Sequence, residues 1–133
     1  KMLNLINEVK AVFTTEQMLP AIGQGVIALQ CREYDKKTLD IIKMVNHKET
    51  FLCVQAERSL LKTVGGDCDT AIGGLAKISN KKILLKSELF SDDGNKKFIA
   101  EHSGQFKEVK EIGYKVGKEL LKKAGSNFTR RGN

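Results

Sequence analysis

The chain has 133 residues, 41% of them hydrophobic and 29% charged, with a formal net charge of +7. That balance suits one globular domain with or without arms and excludes extensive disorder, and no apolar run nears the roughly 20 residues that cross a bilayer. The opening residues lack the apolar core and cleavage site of a secretory signal, so a cytoplasmic protein is expected.

Residues 1–19 carry apolar side chains at irregular spacing and stop at Pro20, the only proline, which lacks an N–H and disfavours helix before it. In Ala21–Gln30 the second half is apolar enough for a buried strand, and Gly23 and Gly25 let a ligand or another backbone come close. Residues 35–46 read as a helix, with Leu39, Ile42 and Val45 along one face. A second helix is expected over 48–64, where Leu52, Ala56, Leu60 and Val64 recur every fourth residue and Gly65 supplies the stop.

The period then changes to that of strands. Residues 71–78, 82–90 and 96–103 are short β-rich segments separated by Ser79-Asn80-Lys81 and Ser91-Asp92-Asp93-Gly94-Asn95, both good turn sequences. A last helix is expected over 105–124, with Phe106, Val109, Ile112, Val116 and Leu120 on one stripe, before Gly125 and a loose tail at 126–133. The block 48–124 therefore reads α-β-β-β-α, an α+β fold with a three-stranded antiparallel sheet and helices packed on one face. Residues 1–47 do not read as a closed unit: they hold a strand and a helix without partners, as arms of a larger body would.

Chemistry concentrates in Gly65-Gly66-Asp67-Cys68-Asp69-Thr70. Cys68 follows two glycines and stands between two aspartates, so it is expected on a tight, solvent-reachable loop, where a thiol is a candidate for covalent chemistry. An idle surface cysteine is the other reading of the same pattern. Cys31 and Cys53 sit among apolar neighbours and read as packing residues. Three cysteines without a CxxC pair do not form a zinc site, and reduced thiols are expected rather than a disulfide framework. The basic charge invites a nucleic-acid reading, but most lysines alternate with acids, as on an exposed helix face. Attraction of a small polycarboxylate is a further option for that field.

Five stretches taken in order carry a resemblance: Met18-Leu19-Pro20-Ala21-Ile22-Gly23-Gln24-Gly25, Gln30-Cys31-Arg32, Asn46-His47-Lys48-Glu49-Thr50, Ala56-Glu57-Arg58, and the Gly-Gly-Asp-Cys-Asp-Thr-Ala-Ile-Gly loop. Together they resemble the C-terminal part of the porphobilinogen deaminase (hydroxymethylbilane synthase) family. The resemblance implies a transferase of heme and porphyrin biosynthesis. In that family four porphobilinogen molecules are joined, with release of ammonia, on a covalently bound dipyrromethane cofactor. It implies that Cys68 is the thioether anchor, that Gln24 and Gly25 lie near the cofactor, and that Gly66 and Asp67 shape the anchor loop. A bare turn residue bonding its own backbone is the alternative for Gln24. Arg58 reads as structural, with Glu57 as one possible partner.

The resemblance further implies that 1–19 ends domain 2, that 20–47 returns a strand and helix to domain 1, and that 48–133 forms the cofactor-anchor domain 3. These arms would belong to α/β neighbour domains. The family's catalytic aspartate and most of its carboxylate-holding arginines lie in its first two domains, so no catalytic residue is expected here and the chain alone should be inactive. Porphobilinogen and the growing polypyrrole are the implied partners, met through those domains; no metal, nucleic acid or membrane is expected, and the full enzyme should be monomeric. Two departures stand out: Asp67 precedes Cys68, and Ala71 stands where the family often has proline. The flanking aspartates should raise the thiol pKa. A basic α-β-β-β-α order also matches a double-stranded-RNA-binding module, although Lys107 and Lys110 alternate with Glu108 and Glu111 where such a module needs a lysine cluster.

Overall fold

Alternation of apolar and polar residues past residue 71 yields three strands in the computed structural model, which describes residues 5–66 and 69–128. Strands β1 (Ile72–Ser79), β2 (Lys82–Phe90) and β3 (Lys97–Gly104) form one antiparallel sheet in the order β1-β2-β3. Their two-residue turn is Asn80-Lys81, both with positive φ (49° and 59°), as the right-handed twist of a tight hairpin requires. The register places Ala76 opposite Leu85 and Leu85 opposite His102, so Ile83, Leu85, Ser87 and Leu89 share one buried face.

Helices α1 (Lys36–Val45), α2 (Lys48–Val64) and α3 (Val109–Ala124) complete the fold, with a short 3-10 turn at Phe106–Glu108 leading into α3. Ala56, Leu60 and Val64 of α2 and Ile112, Val116 and Leu120 of α3 pack on that buried face. Each fully buried leucine or isoleucine contributes about 2 kcal/mol of transfer free energy, which makes this the main stabilising layer. The two helices touch each other at Gly113 and Gly117, where a Cβ would meet the Ala56 carbonyl and the Thr63 side chain. The expected α+β architecture, with helices on one face of three strands, is therefore the one observed.

Two expectations need correction. The buried strand over the second half of Ala21–Gln30 does not form: Ile27 is 89% and Leu29 58% exposed. A strand needs a ladder partner, and among the described residues this stretch has none. The first part of the expected loose tail 126–133 is also ordered, since Phe128 packs against the core after a 3-10 turn at Gly125–Asn127; residues 129–133 lie outside the described residues. Helix α1 buries none of its side chains.

Candidate functional site

Helix α2 is the strut of the site. His47 caps its start, its Nδ1 accepting the Thr50 N–H at 3.3 Å, the role a histidine in that position can fill without any catalytic part. At its other end Gly65 takes the left-handed conformation (φ 73°), and its N–H donates to the Lys62 carbonyl at 3.3 Å. The Gly66 N–H donates to the Leu61 carbonyl at 3.1 Å, completing a Schellman stop.

Gly66 leaves little room for a side chain. A Cβ there would lie 2.8 Å from Leu61 Cδ1 and 3.1 Å from Thr70 Oγ1, so the two sides of the thiol loop abut at Gly66 and Thr70. Beyond Thr70, the Ala71 carbonyl accepts the Phe90 N–H at 3.0 Å, which ties the exit of the loop to the sheet. Asp67 and Cys68 themselves lie outside the described residues. What the surroundings supply is a short span between a rigid helix end and a rigid strand start, the scaffold on which a reactive group is held best.

The second part of the site is the turn Ala21–Gly25. Gly23 and Gly25 have φ of 70° and 82°, which glycine adopts without strain, and nothing lies within 4 Å of a Cβ built on either. Gln24 is exposed, and its Oε1 accepts the Ala21 N–H at 3.2 Å while its own N–H returns to the Ala21 carbonyl at 3.1 Å. These bonds form the turn that the sequence suggests for Gln24.

One buried carboxylate joins this turn to the strut. Glu57, on α2 and only 5% exposed, accepts the Gly23 N–H through Oε2 at 2.8 Å and the Ala76 N–H through Oε1 at 2.8 Å. A buried carboxylate needs such donors, and charge-assisted bonds of this kind are the stronger class. The neighbouring chain follows the edge of β1: the Gly74 N–H donates to the Pro20 carbonyl at 2.9 Å, and Ala21 bridges Gly73. A Cβ at Gly74 would press on the Ile22 side chain, whose Cδ1 would lie 2.5 Å away. Sequence reasoning passed over Glu57 as a functional residue and offered it as a partner for Arg58. Arg58 is exposed, and among the described residues no ion pair joins the two. The available signal was position: Glu57 sits beside Ala56 and three residues before Leu60, on the border of the buried stripe.

Between the Gln24 turn, the first half of α2 and the edge of β1 lies an open groove of about 430 Å³, bordered by Gln24, Val26, His47, Cys53, Glu57 and Lys77. Cys53 packs partly against the core, and burial pushes its thiol pKa up, with Glu57 and Glu49 adding to the shift. It is therefore a poor thiolate source. Cys31 is free and half-buried but belongs to no core cluster, because the residues before it are exposed. No group of His, Cys, Asp and Glu among the described residues could hold a metal ion, and no described helix is long and apolar enough to cross a membrane.

Around the start of α3, Lys107 and Lys110 alternate with Glu108 and Glu111. Glu108 accepts the Gln105 N–H at 2.9 Å and Glu111 pairs with Lys115 at 3.7 Å, so the surface charge is mixed there and the RNA reading gains no support.

Two family models match the chain. The one described as "Porphobilinogen deaminase, dipyromethane cofactor binding domain" covers residues 1–40, and "Porphobilinogen deaminase, C-terminal domain" covers residues 51–122. A porphobilinogen deaminase of Coxiella burnetii (strain CbuG_Q212) is 38% identical over 130 residues, which is 98% of this chain and 42% of that relative. One of Listeria monocytogenes serotype 4a (strain HCC23) is 40% identical over 113 residues, 85% of this chain and 36% of the relative. The chain thus spans 42% or less of the length of these curated relatives.

Proposed function

The chain belongs to the porphobilinogen deaminase family, and on that premise we propose that it supplies the part of such an enzyme that carries a dipyrromethane on Cys68. The observation that carries this reading is the loop closed between Gly66 and Thr70 at the end of α2, with the cysteine inside it. A soft sulfur nucleophile suits the attachment. The Cys68 sulfur bonds to the aminomethyl carbon of a porphobilinogen-derived unit as the carbon–nitrogen bond breaks, and the amine leaves as ammonia with the thiol proton. The thioether has no easy route to hydrolysis, so the anchor persists. When bound, the dipyrromethane supplies the pyrrole carbon at which further units are joined.

The residues present fit that role and leave another open. Gly66 closes the entry of the loop against Thr70; Gln24 and Gly25 offer an open, glycine-flanked backbone turn beside which a flat ring fits. Carboxylate-bearing pyrroles call for clustered arginines. Among the described residues Arg32 and Arg58 are both exposed on separate segments, so carboxylate recognition and the acid–base step fall to portions the relatives have and this chain does not span. Porphobilinogen and the growing polypyrrole are then the partners of the assembled enzyme, which we take to be a cytoplasmic monomer using neither nucleic acid nor membrane.

The same reading assigns residues 1–19 to the end of domain 2, 20–47 to domain 1 and 48–133 to the anchor domain. Support comes from the exposed apolar side chains Val12, Ile27, Tyr34 and Met44, each at least 85% exposed, which are of the kind a neighbouring domain would cover.

The test is to combine the chain with the portion of the Coxiella burnetii relative that precedes the matched region and to follow hydroxymethylbilane formation from porphobilinogen. Turnover by the combination, none by the chain alone and none with C68S is expected. Equal turnover with C68S would overturn the anchor assignment.

A further inference from the structure

Glu57 is the one buried charged group of α2, and the chemistry proposed for Cys68 does not use it. It holds two backbone N–H groups that belong to different parts of the chain: Gly23, 34 residues earlier, and Ala76, 19 residues later. The same helix ends in the Schellman stop that opens the thiol loop. From Glu57 to Val64 the helix rises about 10 Å, at 1.5 Å per residue. One stiff element therefore carries the clamp on the glycine turn near its middle and the thiol loop at its end.

We propose that Glu57 is a positioning residue that fixes the spacing between the Gly23–Gly25 turn and the end of α2 at Gly65–Gly66, from which the chain runs on to Cys68; its catalytic meaning rests on the proposed function, its geometry does not. A loop-borne turn with positive φ at two glycines has many conformations of similar energy. Its other links to β1 come through Pro20 and Ala21, on the entry side, and through the side chain of Ile22. Among the described residues the Gly23 bond to Glu57 is the hydrogen bond that joins the turn to α2, beside the apolar packing of Ile22 on the core, so this bond orients Gln24 and Gly25 relative to the helix that leads to Gly65 and Gly66. Both carboxylate oxygens are used, one on each side, so a glutamine would place an NH2 against one of the two N–H donors.

The test uses the chain with Cys31 and Cys53 replaced by serine, a nitroxide label on Cys68, and Glu57 either intact or as E57Q. In the unaltered chain the Gly23 amide should exchange with solvent slowly, like that of Ala76, although its turn faces water. In E57Q the exchange of both should quicken about tenfold, the factor a lost hydrogen bond commands, while Leu85 and Ala100 keep theirs. Broadening of the Gly23 and Gly25 resonances by the label should change, with Leu61 and Lys62 unchanged. A Gly23 amide exchanging at the free-peptide rate in the unaltered chain would overturn the proposal without any variant. So would a uniform loss of protection across β2 and β3 in E57Q, which would make Glu57 a general stabiliser, or no change at all. Failure of C68S to abolish turnover would instead count against the anchor assignment and leave these measurements standing.

Discussion

Gly113 of α3 lies against the Ala56 carbonyl of α2 so closely that no side chain fits between them. Ser59 joins the same contact, its Oγ donating to the Lys110 carbonyl at 2.6 Å. Backbone atoms cannot yield as a flexible side chain can, so a methyl group at 113 must push the helices apart. G113A should destabilise the chain by about 3 kcal/mol, the range of severe overpacking, read as a lower urea midpoint with an unchanged slope. An unaltered midpoint would mean that the helices are not packed this closely.

The β1–β2 hairpin should be improvable at one residue. Lys81 has φ of 59°, a region that costs a side-chain-bearing residue about 1 kcal/mol and glycine almost nothing. Glycine also gains freedom in the unfolded chain, which offsets part of that. K81G is therefore expected to stabilise by roughly 0.5 kcal/mol or less, measured by chemical denaturation.

Asp93 should leave a mark on acid stability. The Ser91 hydroxyl first, then the backbone and side-chain N–H groups of Asn95, hold its pKa down to about 2, against an ordinary 3.8. A depressed folded-state pKa means that the contribution is complete above about pH 4 and is lost as the pH falls toward 2. D93N should lower the melting temperature near neutral pH and flatten its decline between pH 4 and 2. A parallel decline in both proteins would contradict the assignment.

Much of the fold was legible because its signals are local. Leu52, Ala56, Leu60 and Val64 mark α2 to its last residue, and Gly65 stops it through a conformation that glycine adopts freely. Asn80 and Lys81 mark the hairpin. What failed depended on distant partners. Val26–Gln30 has the composition of a buried strand, but a strand exists only where another chain segment completes its ladder. Gly113 and Gly117 interrupt an apolar stripe without saying which backbone approaches them. Glu57 looked like half of an ion pair because sequence shows charges and not the backbone N–H groups that a buried carboxylate can collect. For Gln24, sequence left two roles open, and its bonds to Ala21 account for its place in the turn. Asp67 and Cys68 lie outside the described residues, so the anchor rests on the resemblance and on the loop ends around it.

The most direct test is the mass of the chain after it has been combined with the preceding portion of a relative and supplied with porphobilinogen, followed by peptide mapping. A gain of two pyrrole units, located on the peptide that holds Cys68 and absent from those of Cys31 and Cys53, is the result expected. A bare Cys68 in a combination that has folded, or an adduct on either of the other cysteines, would contradict it.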